Sequence, residues 1–305
     1  MRIAILGAGG VGGYFGGSLA RAGNDVALLA RGENLEALRR QGLEVRTPDE
    51  TFKAQVRATD DPSEPGAADL AVVAVKTYSL AEILPAARLL AKRGATILPL
   101  LNGVEAADRL VLGGVPRERI LGGLASLSVA RVAPGVFERR SPFQKVVVGE
   151  LSGGISERAE RIASAFRQAG AEVAVSPDIR ADLWRKLAFI ASMAAACGLA
   201  RSPVGPVRRA PHGALLFERA VREVFSVARA HGVAIRDDDV EQTLAFIDSL
   251  GDSLKPSFLL DLEAGRTTEL DDLCGAVSRL GRTAGVPTPV HDTATAALSA
   301  ASHRE

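Results

Sequence analysis

The chain has 305 residues, 47% of them hydrophobic and 24% charged, which is enough to bury a large core and to build two domains. Its 37 basic residues nearly balance 36 acidic ones, so a net charge of +1 gives no electrostatic reason to expect nucleic acid or an acidic membrane as partner. The opening apolar run is too short for a signal peptide and the stretch Leu187 to Leu199 too short to span a bilayer, so a cytoplasmic location is expected and a homodimer is left open.

In chain order, Arg2 to Leu6 reads as a strand that flows into Gly7-Ala8-Gly9-Gly10-Val11-Gly12 and then into an amphipathic helix from Val11 to Ala22. Here the first glycine permits a tight turn, the second lets the backbone approach a pyrophosphate, and the third lets the helix pack on its strand. The helix N-terminus, with Gly10 and Val11, offers free N–H groups to the phosphates. A second strand, Asp25 to Leu29, ends on Ala30-Arg31-Gly32. An NAD site usually carries an acid there for the ribose 2′-hydroxyl; an arginine instead suits a 2′-phosphate, which favours NADP(H). The bland alternative is a surface arginine beside a turn.

Strand character follows at Val45, Phe52 to Val56, Ala68 to Val75 and Ala95 to Leu100, with a helix from about Leu80 to Lys92. Further strands are predicted at Ile120 to Val129, Val136 to Phe137, Lys145 to Gly149 and Glu172 to Val175, with a helix from Ser156 to Gln168. This alternation predicts an α/β Rossmann-like domain with a parallel sheet over residues 1–177. Past Pro177 the pattern becomes helical: Ile179 to Ala200, His212 to His231, Asp237 to Leu250, Thr268 to Ala284 and Pro289 to Ala301, an all-helical domain over residues 178–305. Cys197 and Cys274 lie in apolar helical contexts without a CxxC and read as buried free thiols. His212, His231, His291 and His303 show no metal-ligand spacing, so no metal is expected.

Four polar residues are not explained by packing alone. Lys76 closes a buried strand where a ligand crevice opens, and Asn102-Gly103 follows the strand Ile97 to Leu101. Each has a plainer reading, as a solvated strand end and as an ordinary turn. Lys186 stands on the apolar face of its helix with Phe189, Ile190 and Met193, where desolvation lowers its pKa and makes it a better proton donor, unless it snorkels outward on its long stem. Glu269, in the run from Ser257 to Asp271, falls in the predicted first turn of a helix, where acids are favoured without catalysis.

Taken together, Gly7, Gly9 and Gly12, Arg31, Val75-Lys76, Asn102-Gly103-Val104, Trp184-Arg185-Lys186-Leu187 and the block Ser257 to Asp271 resemble the ketopantoate reductase (2-dehydropantoate 2-reductase) family, in order and across nearly the whole chain. The resemblance implies an NADP(H)-binding Rossmann domain, a helical domain of the 6-phosphogluconate-dehydrogenase type, and an active site in the cleft between them. It also implies NADPH-dependent reduction of a 2-oxo acid, 2-dehydropantoate to pantoate in pantothenate biosynthesis. By that similarity Lys186 is the general acid, Glu269 supports the lysine and substrate, Ser257 binds the substrate carboxylate, and Asn102 and Lys76 position cofactor and substrate. The departures fall at family asparagines, which are Ile190, Val204 and Leu254 here. With Asn only at positions 24, 34 and 102, no other asparagine of the helical domain can replace them. Aliphatic side chains at those substrate-binding positions predict a taste for a more apolar 2-oxo acid. A dehydrogenase of another chemistry in the same superfamily and a non-catalytic NADP(H) sensor remain as alternatives.

Overall fold

A computed structural model describes residues 1–302, which form two compact units. The first comprises residues 1–101 and 106–179, and the second residues 102–105 together with the chain from 180 onward. The sequence places the border at residue 177; the structure carries the first unit to Ile179 and transfers Asn102 to Glu105 to the second. That segment is held there by Glu105 Oε2, which pairs with Arg279 Nη2 at 2.8 Å, and by Val104, which packs on the helical core.

The first unit runs β1 (Arg2–Leu6), α1 (Gly10–Arg21), β2 (Asp25–Leu29), α2 (Gly32–Gln41), β3 (Leu43–Arg46), β4 (Thr51–Ala54), β5 (Arg57–Thr59), β6 (Leu70–Val73), α3 (Leu80–Lys92), β7 (Thr96–Pro99), α4 (Ala106–Leu112), β8 (Leu121–Ser126), β9 (Val129–Ala133), β10 (Val136–Arg139), β11 (Lys145–Glu150), α5 (Glu157–Gln168) and β12 (Glu172–Ser176). Its main sheet is parallel, in the order β5-β2-β1-β6-β7. Successive residues of β1 feed two cores: Ile3 and Ile5 pack with Phe15 and Leu19 of α1, and Ala4 and Leu6 with Ile83 and Leu90 of α3. A sheet buried on both faces needs this continuous apolar run, and the crossover from β2 to β6 on either side of β1 creates the switch point where dinucleotides bind.

Two smaller sheets complete the unit, β4-β3-β10-β9 and β12-β11-β8. The predicted strand from Ile120 to Val129 is two strands, β8 and β9, in different sheets. Helices α2 and α4 and strand β5 have no counterpart in the sequence expectation. They are short, and α2 and β5 expose much of their length, so their periodicity is weak.

The second unit is helical: α6 (Ile179–Ala200), α7 (Val204–Arg209), α8 (Gly213–Ala230), α9 (Asp239–Ser249), α10 (Ser257–Glu263), α11 (Cys274–Ala284) and α12 (Pro289–Ser302). By length and composition alone α6 could cross a bilayer, since its apolar stretch belongs to a helix of 22 residues. Most of its apolar residues are already covered, with Leu187, Ala188, Ala191 and the run Ala194 to Cys197 wholly buried against Phe217, Val224, Phe225 and their neighbours. Cys197 and Cys274 are buried free thiols, and burial pushes both up to about 12. His303 lies outside the described residues.

One predicted helix starts late. The segment Thr268 to Leu273 is not the first turn and a half of α11 but an irregular turn before it, in which Asp272 and Leu273 donate to the Glu269 carbonyl at 3.2 and 3.0 Å. Leu273 then takes φ −102°, ψ −89°, and the helix begins only at Cys274.

Candidate active site

The glycine turn has the geometry its spacing predicts. Gly7 adopts φ +107°, and a Cβ there would lie 2.5 Å from Val75 Cγ1. A Cβ on Gly12 would lie 1.9 Å from the Gly7 carbonyl oxygen, so the close packing of α1 on β1 requires glycine. Gly9 differs, because its nearest neighbour to a Cβ would be Ala74 O at 3.9 Å. Its bare backbone therefore faces space that a dinucleotide can occupy. Gly9 also precedes α1 without a side-chain cap, and no acid stands in the first turn, Gly10-Val11-Gly12. That leaves the positive end of the helix available to a pyrophosphate.

Lys76 follows the Ala74–Val75 backbone that packs on Gly7, half-buried at the carboxyl end of β6. Arg31 sits just past β2 as the N-cap residue of α2, exposed, and its Nη1 pairs with Glu82 Oε2 at 2.8 Å. Sequence reading missed Glu82, which lies 51 positions away on α3 and leaves no local signal.

In the second unit, Asn102, Lys186 and Glu269 come together. Asn102 Nδ2 donates to Glu269 Oε2 at 3.1 Å, although 167 positions separate them. Glu269 is only 5% exposed. Lys186 is half-buried on α6, and burial lowers its pKa from 10.5 to about 8, with the Glu269 carboxylate opposing the fall. Because Glu269 precedes α11 by five positions, the helix-start explanation of this acid does not hold; its carboxylate serves the amide and the ammonium instead.

Neighbouring ion pairs hold these groups in place. Arg185 turns away from Lys186, its Nε bonding Asp239 Oδ1 and its Nη1 bonding Asp182 Oδ1, both at 2.9 Å. Arg279 reaches Glu105 with one nitrogen and, with the other, Asp271 Oδ1 at 2.5 Å and the Asp271 carbonyl at 3.1 Å. It thereby ties the segment that carries Asn102 to the turn that carries Glu269. No local motif announces Arg279, because its partners are far apart in sequence.

The remaining expected site residues separate into two groups. Ile190 is half-buried one helical turn beyond Lys186, while Leu254 (36% exposed) and Ser257, the first residue of α10, face solvent. Val204 is different. Its side chain is wholly buried in the helical core, and only its backbone meets Leu254, donating to the Leu254 carbonyl at 3.0 Å. The expectation that Val204 lines an open pocket is therefore corrected: it packs. Among the described residues, no group of three His, Cys, Asp or Glu side chains could hold a metal ion.

A glycine turn on a doubly wound sheet, followed by a helical unit that offers a desolvated lysine, defines a two-unit oxidoreductase. The chain belongs to the ketopantoate reductase family: the ketopantoate reductase PanE/ApbA family matches residues 3–153, and its C-terminal counterpart matches residues 178–302. An uncharacterized oxidoreductase of Bacillus subtilis, YkpB, is 32% identical over 98% of both chains. The crystal structure of a 2-dehydropantoate 2-reductase from Geobacter metallireducens superposes with a TM-score of 0.90 at 31% identity, over 99% of this chain and all of that one. A D-mandelate dehydrogenase in a ternary structure with NADH and anilino(oxo)acetate gives 0.89 at 25% identity, over 99% of this chain and 98% of that one.

Proposed function

We propose that the protein reduces a 2-oxo acid to the 2-hydroxy acid with NADPH, with 2-dehydropantoate as the first substrate to consider. The observation that carries this reading is the half-buried lysine, lowered to about 8 beside a carboxylate that an amide holds in turn. When bound, the reduced nicotinamide supplies a hydride to the carbonyl carbon. Lys186 meets the negative charge that develops on the carbonyl oxygen and gives it a proton, and Glu269 keeps the ammonium charged and oriented. Asn102 fixes the Glu269 carboxylate, and Ser257 and Lys76 contribute hydrogen bonds to substrate and cofactor. The glycine turn accepts the pyrophosphate, and Arg31 in place of an acid supports the 2′-phosphate. Free buried thiols suit a cytoplasmic enzyme.

A second reading is supported by Ile190 and Leu254, aliphatic where the resembled family carries amides, and by the aryl 2-oxo acid analogue bound by the D-mandelate dehydrogenase. On that reading a more apolar 2-oxo acid is the preferred substrate. A panel of 2-oxo acids assayed with NADPH and with NADH separates the two, run on the wild type and on Lys186→Ala. The variant should keep cofactor binding and lose at least about 10²-fold in kcat. Near-normal turnover by Lys186→Ala, or no turnover of any 2-oxo acid by the wild type, refutes the proposal.

A further inference from the structure

Sequence motifs stop at Arg31, yet the fold sets a second guanidinium beside it. Arg31, Glu33, Asn34 and Arg131 line one concavity of about 400 Å³ past the end of β2, wholly within the first unit. Arg131 comes from β9, a hundred positions further along, and that strand is fastened to the glycine turn. The buried Asn34 amide donates to the Ala8 carbonyl at 3.1 Å, and its Oδ1 accepts from the Gly135 N–H at 2.8 Å, in the turn between β9 and β10. Strand β9 also passes so near the turn that a Cβ on Gly10 would lie 2.8 Å from the Val129 carbonyl oxygen. The hairpin that carries Arg131 and the loop that receives a pyrophosphate are thus registered to each other through Asn34.

Charge decides what this concavity accepts. Arg31 is already paired with Glu82 of α3, and Glu33 is the acid of the lining, whereas Arg131 has no ion-pair partner among the described residues. With Arg131 the two guanidinium groups match Glu33 and the Glu82 that pairs with Arg31; without it these carboxylates outnumber the one guanidinium, and a dianion is less well accommodated. We propose that Arg131 is a specificity-determining residue that binds the 2′-phosphate together with Arg31, so that the β9–β10 hairpin shares in the choice of NADP(H) over NAD(H). The proposal rests on the NADPH reading above.

Calorimetric titration of NADPH, NADH, 2′,5′-ADP and 5′-AMP into wild type, Arg131→Ala, Arg131→Lys and Arg31→Ala tests it. Arg131→Ala should weaken NADPH and 2′,5′-ADP about ten-fold, the low end for a hydrogen bond to a charged group, and leave NADH and 5′-AMP within about two-fold. Arg131→Lys should recover part of the loss. Equal weakening of NADPH and NADH would make Arg131 a structural residue of the hairpin and overturn the proposal, as would no change in either. A wild type that prefers NADH overturns the NADPH reading and this proposal together. An NADPH preference lost in Arg31→Ala but kept in Arg131→Ala overturns this proposal alone.

Discussion

Replacing Glu269 by glutamine keeps the shape of the side chain and removes the charge that opposes desolvation of Lys186. The fall of that lysine from 10.5 to about 8 corresponds to roughly 3 kcal/mol against the charged form, even with the carboxylate present. In the wild type the ammonium outnumbers the amine about ten to one at pH 7 and is outnumbered about ten to one at pH 9, so kcat/KM for reduction should drop nearly ten-fold between them. In Glu269→Gln the alkaline limb should move down by about one pH unit, the low end for losing a nearby opposite charge. The assay is the pH profile of kcat/KM, with deuterated nicotinamide to establish that hydride transfer limits the rate. Linkage adds a second readout. The unfolded chain binds the Lys186 proton more tightly than the folded one, so stability rises with pH between about 8 and 10.5 and is reduced below that window. Lys186→Met should accordingly raise Tm at pH 7 while abolishing turnover. An alkaline limb near 10, or one that Glu269→Gln leaves in place, would refute the reasoning.

The positions where the resemblance implies amides should behave differently from one another. Val204→Asn buries an amide in the helical core and should cost about 1–3 kcal/mol, read as a lower Tm, with no gain in activity toward 2-dehydropantoate. Ile190→Asn with Leu254→Asn, both partly exposed, should fold and shift kcat/KM toward 2-dehydropantoate relative to apolar 2-oxo acids; an unchanged ratio would remove these side chains from substrate choice. Arg279→Ala should loosen the 102–105 segment and the Glu269 turn together, lowering kcat and moving the alkaline limb down in the manner of Glu269→Gln. A loss of Tm with an unaltered pH profile would make Arg279 merely structural.

Much of this was legible in the sequence wherever one element carries its own pattern. The limits of α6 follow from a single apolar run, and the glycine turn from the need of Gly7 and Gly12 for space that no Cβ leaves. Lys186 was readable as a lysine on an apolar face, because helical spacing alone places it beside Phe189, Ile190 and Met193. What could not be read depends on partners distant in the chain. Glu269 fitted a helix start by composition, and only the turn that delays α11 to Cys274, with Asn102 donating from 167 positions away, shows its carboxylate engaged elsewhere. Val204 fitted a pocket by alignment of motifs, but burial on every side is a property of the packed helices. Glu82 and Arg131 come to Arg31 from α3 and β9, through a sheet order and a hairpin whose short strands carry little periodic signal.

On the proposed reading, the same physics links substrate choice to proton donation at Lys186. An amide one helical turn from the lysine could accept from its ammonium and favour the charged form, whereas Ile190 offers only apolar surface there. On that reading a pocket made more apolar for its substrate carries a lysine of lower pKa, and a donor that remains charged at neutral pH depends more heavily on the Glu269 carboxylate that opposes the fall. That dependence accounts for the investment in Glu269 itself: burial to 5% exposure, an amide hydrogen bond from Asn102, and Arg279 bridging the two segments that bear them. In the proposed reaction, positioning the carboxylate is thus as much a part of the acid as the lysine is.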